Sequence, residues 1–85
     1  MNNKLEIFKK KLIYRASYRG TKEMDMLLSK FVNKNINLWN ESYLKELEEF
    51  LNYEDEVILN YYRDNIKKND IEKNKISKIF KNFKI

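Results

Sequence analysis

Arg15, Arg19 and Glu23 stand four residues apart, and Gly20, the single glycine of the chain, sits between the last two of them. A guanidinium is the cation suited to holding carboxylates or backbone carbonyls in fixed geometry, because its planar fork donates along set directions. A glycine beside it removes the side chain that would keep a visiting backbone at a distance. Arg15, Arg19, Gly20 and Glu23, flanked by Lys22 and Asp25, therefore read as a candidate binding face and not as a reaction centre. Gly20 also falls where one helical pattern ends and another begins. There it terminates a helix with a left-handed backbone, where a side chain would cost about 1 kcal/mol. An Arg/Glu pair on a helix is usually a solvated pair of little energy. It becomes a binding feature only if Arg15, Arg19 and Glu23 share an exposed ridge across the helix junction, which is the expectation here.

The remaining chemistry is narrow. The 85 residues hold no cysteine and no histidine, which excludes disulfides, thiolate metal sites and imidazole acid–base work. There is no nucleotide-phosphate loop, and the carboxylates, lysines and tyrosines form no catalytic constellation. The acidic turn Glu54–Asp55–Glu56 has no further carboxylate at the spacing of a calcium loop and reads as helix capping. The chain is expected to be no enzyme and to bind no cofactor or metal tightly.

Positioning such a face falls to helices. The absence of proline and the lone glycine argue against a β-sandwich, and hydrophobic residues at 42% with aromatics at 14% can supply a core. Leu5, Phe8, Leu12 and Ala16 mark a first helix from about Lys4 to Ser17. Met24, Leu27, Leu28, Phe31 and Val32 form the broad stripe of a central helix, which Asn33, Asn35 and Asn37 should break, leaving Ile36 and Leu38 as anchors. Asn40 is placed to cap a third helix with Glu41 in its first turn, and Trp39 and Leu44 have the spacing of a hydrophobic staple. That helix continues through Leu47, Phe50 and Leu51. Asp55 can cap a fourth helix bearing Val57, Ile58, Tyr61 and Tyr62, and Asp70 a fifth with Ile76, Ile79, Phe80 and Phe83 inward. The fold class is all-α: a compact five-helix bundle, residues 1–85 forming a single domain, with short connections favouring an up-and-down order.

Charge is distributed in blocks. Residues 1–22 carry seven basic groups and one acid, residues 23–64 four and ten, and residues 65–85 seven and two, for a net +5. The basic ends, with aromatics interleaved, raise a nucleic-acid alternative, and the last helix could lie on an anionic membrane surface. Lysine-rich helix backs are ordinarily solvated, however, and no Arg/Asn/Gln cluster sits where a recognition helix needs one. No apolar run approaches the ~20 residues of a membrane span. The opening MNNKLEIFKKKLIY is interrupted by lysines and does not read as a signal peptide.

The stretch LIYRASYRGTKEMDMLLSKF resembles the Arg-Gly-x-x-Glu region of the flavinylation and assembly factors of succinate dehydrogenase (the SdhE-like family). Tyr14–Arg15, Arg19–Gly20, Glu23, Asp25 and Leu27–Leu28 carry the likeness. It continues through LWNESYLKELEEFLNYEDEVILNYY to Tyr62. Thr21 stands where the family usually has an apolar residue, the acidic turn lacks the usual proline, and Tyr61 replaces a tryptophan. The resemblance implies a five-helix chaperone that binds the flavoprotein subunit of succinate dehydrogenase, and in some bacteria fumarate reductase. It promotes covalent attachment of the partner's FAD to a histidine of the partner. It further implies that Arg19, Gly20 and Glu23 centre the contact, with Arg15, Thr21, Lys22 and Asp25 at its rim. The expected location is the bacterial cytoplasm, or the mitochondrial matrix in a eukaryote after removal of a presequence.

Overall fold

In the computed structural model, which describes residues 3–84, the helices are α1 (Asn3–Ser17), α2 (Lys22–Asn35), α3 (Glu41–Phe50), α4 (Asp55–Asp64) and α5 (Lys75–Lys81). Short 3-10 turns at Ile36–Leu38 and Ile71–Lys73 complete the order. Among the described residues there is no strand. The all-helical, five-helix expectation is met.

The apolar stripes do what their spacing requires. Leu12 and Ala16 of α1, and Met24, Leu27, Leu28, Phe31 and Val32 of α2, are buried against one another, while Leu5 and Phe8 pack at the margin. The aromatic hub is Phe31. Its ring meets Phe80 edge-on at 4.9 Å, Phe83 at 5.2 Å, Trp39 at 5.6 Å and Phe50 at 6.4 Å. Such edge-on pairs add to the area that the rings bury. Rings from both ends of α3 and from α5 and the residues after it thus converge on one side chain of α2.

The helices do not pack simply in chain order. The closest pairings are α1 with α2 and α3 with α5, and α1 also meets α3 while α4 meets α5. Asn74 explains part of this. It is only 5% exposed; its Nδ2 donates to the Glu46 carbonyl of α3 at 2.9 Å, and its Oδ1 accepts the Ser77 N–H at 3.0 Å. One side chain therefore caps α5 and ties it to α3.

Several local expectations need correction. The asparagines after Val32 do not break α2 where expected: Asn33 and Asn35 donate their amides to the carbonyls four residues back, Ser29 and Phe31, both at 2.8 Å. The helix runs on to Asn35 and then tightens into the 3-10 turn, where Ile36 is buried but Leu38 is 79% exposed. Asn40 caps α3 as expected, its Oδ1 accepting the Tyr43 N–H at 3.0 Å. Asp55 is not the cap of α4. Glu54 takes that position without a side-chain bond, because the Asp55 carboxylate is engaged elsewhere. Asp70 does not cap α5 either; it lies in a left-handed conformation, φ 58°, ahead of the second 3-10 turn. In α5 Ile76 and Phe80 are fully buried and Phe83 is packed at the margin, whereas Ile79 faces outward. Core packing, not membrane contact, accounts for that stripe. No described helix is long and apolar enough to cross a membrane.

Candidate partner-docking site

The α1–α2 loop is built by three neighbouring devices. Gly20 has φ +124°, a backbone region that side-chain-bearing residues rarely enter. Thr21 follows in extended conformation and caps α2, its Oγ1 accepting the Met24 N–H at 3.3 Å. Asp25, in the first turn of α2, turns its carboxylate back on the loop: Oδ1 accepts the N–H of Arg19 at 2.5 Å and of Gly20 at 3.1 Å. A carboxylate at a helix N-terminus is favoured by the helix dipole, and here it also satisfies two amides of the loop between α1 and α2. The loop is consequently fixed by its own sequence.

From that loop Arg19 reaches across to the α3–α4 turn. Its Nε donates to Asp55 Oδ1 at 2.8 Å, Nη1 to the Leu51 carbonyl at 2.6 Å and Nη2 to the Tyr53 carbonyl at 2.5 Å. The Arg19 side chain is 11% exposed. The guanidinium fork is used as the sequence suggested, on carbonyls and a carboxylate, but the acceptors belong to this chain. Arg15 lies alongside, its Nη2 donating to Asn52 Oδ1 at 2.6 Å. Glu23 points elsewhere: it is 64% exposed, with Arg63 of α4 3.8 Å away. The expected common ridge of Arg15, Arg19 and Glu23 is therefore not formed. The helical spacing is interrupted between Ser17 and Lys22, and the two arginines turn inward to the α3–α4 turn while Glu23 stays in solvent. Above them Gly20 is open: a Cβ built there would meet no atom within 4 Å.

The model of the Sdh5 family, described as the flavinator of succinate dehydrogenase, matches residues 10–84. The chain belongs to this family. No curated protein and no solved structure gives a match. Membership makes the chain an assembly factor that promotes attachment of FAD to the succinate dehydrogenase flavoprotein, without being a catalyst itself and acting on the partner's FAD. Among the described residues no group of three or more metal-ligating acidic side chains is found.

Within this flavinator frame the arginine-glycine pair and its acidic companion have separable tasks. Arg19, Thr21 and Asp25 build the corner, Gly20 leaves it uncovered, and Glu23 and Lys22 are exposed on α2. Thr21, a departure from the usual apolar residue, has a local reason in its cap. Tyr61, standing for tryptophan, is buried, with the Lys81 ammonium 5.0 Å from its ring centre.

One part of this end of the molecule is not among the residues singled out from the sequence. Between the last two turns of α1 and the α3–α4 turn runs an open groove of about 600 Å³. Tyr14 and Tyr18 form one wall, 66% and 69% exposed, with ring centres 4.6 Å apart. Their i, i+4 spacing off the core stripe of α1 was the available signal. The pKa of Tyr53, beside the groove, is raised above the ordinary value by burial first, then by the charges of Asp70, Glu49 and Glu46.

Proposed function

We propose that the end of the molecule made by the α1–α2 loop and the α3–α4 turn is the surface that docks on the succinate dehydrogenase flavoprotein close to its flavin. Gly20 and Glu23 stand at its centre together with Arg19, which works from beneath by fixing the corner to the turn. Arg15, Thr21, Lys22 and Asp25 form the rim. The observation that carries this reading is the open space over Gly20: the corner is rigidly built by Arg19 and Asp25, yet a partner's backbone can approach it unhindered.

The reacting groups of flavinylation would all belong to the partner, a histidine and the 8α-methyl carbon of its FAD, with negative charge developing on the flavin ring. A docked chaperone contributes by holding the flavoprotein in the conformation that aligns those atoms, since alignment and preorganised charge account for much of a barrier. Fumarate reductase flavoprotein is the second target in this reading. Nucleic acid and stable membrane insertion are not part of it: Lys81 is engaged with the Tyr61 carbonyl at 2.9 Å, Lys75 lies over Tyr43, and Lys34 lies over Phe83. The setting is the bacterial cytoplasm or the mitochondrial matrix.

The test is co-purification of unflavinylated flavoprotein with wild type, Gly20→Arg and Gly20→Ala, scored by in-gel fluorescence of covalent flavin. Both variants carry the same backbone strain, and only the arginine adds bulk above the corner. Loss of capture with Gly20→Arg but not with Gly20→Ala is expected. Wild-type capture by Gly20→Arg refutes the site.

A further inference from the structure

The groove beside the corner has an unbalanced chemistry. On the α1 side stand the two exposed phenol rings of Tyr14 and Tyr18, packed on each other yet each open to solvent over about two thirds of its surface. On the other side stand Glu54 and Glu56, both exposed, and neither carboxylate makes an ion pair or hydrogen bond among the described residues. Two cations also line the groove, but neither serves these carboxylates: Arg19 pairs with Asp55, and Arg15 donates to the neutral amide of Asn52. What Glu54 and Glu56 lack is a cationic partner that can also lie against the aromatic faces.

On the basis of the docking reading above, we infer that this groove receives an arginine side chain of the flavoprotein partner. The guanidinium stacks on the Tyr14–Tyr18 pair and donates to Glu54 and Glu56. Arginine fits better than lysine because a planar, weakly hydrated cation can stack on a ring and still donate from its edge. Continuity with the Gly20 corner, which shares Arg19 with the groove wall, puts the arginine within the same footprint. The groove thereby gives the docking face its orientation: Gly20 admits a backbone, and the groove one flanking side chain.

Neutralising the carboxylates leaves the fold alone, because Glu54 makes no capping bond and Glu56 is exposed. The experiment measures the dissociation constant for unflavinylated flavoprotein at low and raised salt. It compares wild type, the double variant Glu54→Gln/Glu56→Gln, Tyr18→Phe and Tyr18→Ala, with Gly20→Arg as the blocking control. Roughly tenfold weaker binding is expected for the double variant, with a flatter salt dependence, as for loss of charge-assisted hydrogen bonds. Tyr18→Phe should bind as wild type, because the ring face is kept, and Tyr18→Ala should bind severalfold more weakly. In the partner, one Arg→Gln substitution should weaken binding in wild type but add nothing to the double variant. Binding of the double variant with wild-type strength and salt slope, while Gly20→Arg is blocked, overturns the groove assignment and leaves the docking reading standing. Wild-type binding by Gly20→Arg overturns the docking reading, and the groove assignment with it.

Discussion

The Arg19 guanidinium and the Asp55 carboxylate, thirty-six residues apart in the chain, lie 2.8 Å from each other and join the α1–α2 corner to the start of α4. Two further bonds, to the carbonyls of Leu51 and Tyr53, make Arg19 the clasp of this end of the molecule. Its burial determines the outcome of removing it. Arg19→Ala would strand two carbonyls and a carboxylate that the open groove only partly hydrates, so a loss of about 1–3 kcal/mol is expected. Arg19→Lys should recover only part, since an ammonium cannot serve three acceptors in the same fork. Urea unfolding measures both, and a loss below about 0.5 kcal/mol for Arg19→Ala contradicts the clasp.

Gly20 makes the complementary prediction. No neighbour opposes a side chain there, so any cost of Gly20→Ala is that of the backbone at φ +124°. A destabilisation of about 1–2 kcal/mol is expected. An unchanged melting temperature would mean that the loop relaxes to another conformation, which hydrogen exchange at the Arg19 and Gly20 amides would reveal.

How far the sequence foretold these arrangements depended on the range of each interaction. The stripes of α1 and α2 and the Asn40 cap rest on contacts within a turn or two, and they were legible. The end of α2 was misread because asparagine's turn preference was weighed without its ability to bond back to a carbonyl four residues earlier. Asp55 has the composition of a cap, but its carboxylate is claimed by an arginine no local window contains. Asp70 was expected to cap α5, but the cap is Asn74, held there by the packing of α5 on α3 through the Glu46 carbonyl. The ridge of Arg15, Arg19 and Glu23 failed because counting by fours assumed helix across a loop. Tyr18 went unnoticed because its significance comes from a groove whose other wall is formed by the α3–α4 turn.

Asn74 gives a stability test away from the docking face. Asn74→Ala removes both the α5 cap and the bond that ties α5 to the part-buried Glu46 carbonyl of α3. About 2–3 kcal/mol should be lost. At roughly 4–8 °C per kcal/mol for a chain of this size, the melting temperature should fall by at least about 8 °C. Asn74→Asp should retain the cap and lose the donor, falling between the two.

Tyr53 gives a pH test. Its pKa is raised in the folded chain, by burial foremost and by Asp70, Glu49 and Glu46 after it. In the unfolded chain the phenol ionises near its ordinary value of 10.0. Between that pH and the higher folded value the unfolded state binds fewer protons, so unfolding becomes easier as pH rises. The contribution is fully present below the unfolded pKa and is lost as pH rises through the folded one. Tyr53→Phe should flatten this alkaline decline. An identical slope in wild type and variant assigns the decline to other groups.

Glu23 separates building from binding. Arg19, Thr21 and Asp25 all hold the corner together, so substituting them confounds stability with docking. Glu23 does not: its carboxylate is mostly in solvent, and its nearest cation, Arg63, is 57% exposed and 3.8 Å away. An exposed pair at that distance contributes little. Glu23→Ala should therefore change stability by less than about 0.5 kcal/mol. If Glu23 meets the flavoprotein, the same variant should still lower covalent flavin severalfold, and Glu23→Gln should recover only what a neutral acceptor can give. Arg63→Ala supplies the contrast: if Glu23 acted merely through its neighbour, the two variants would behave alike, whereas direct contact leaves Arg63→Ala the milder. Full flavinylation with Glu23→Ala would move the contact off α2 and onto the Gly20 loop and groove alone.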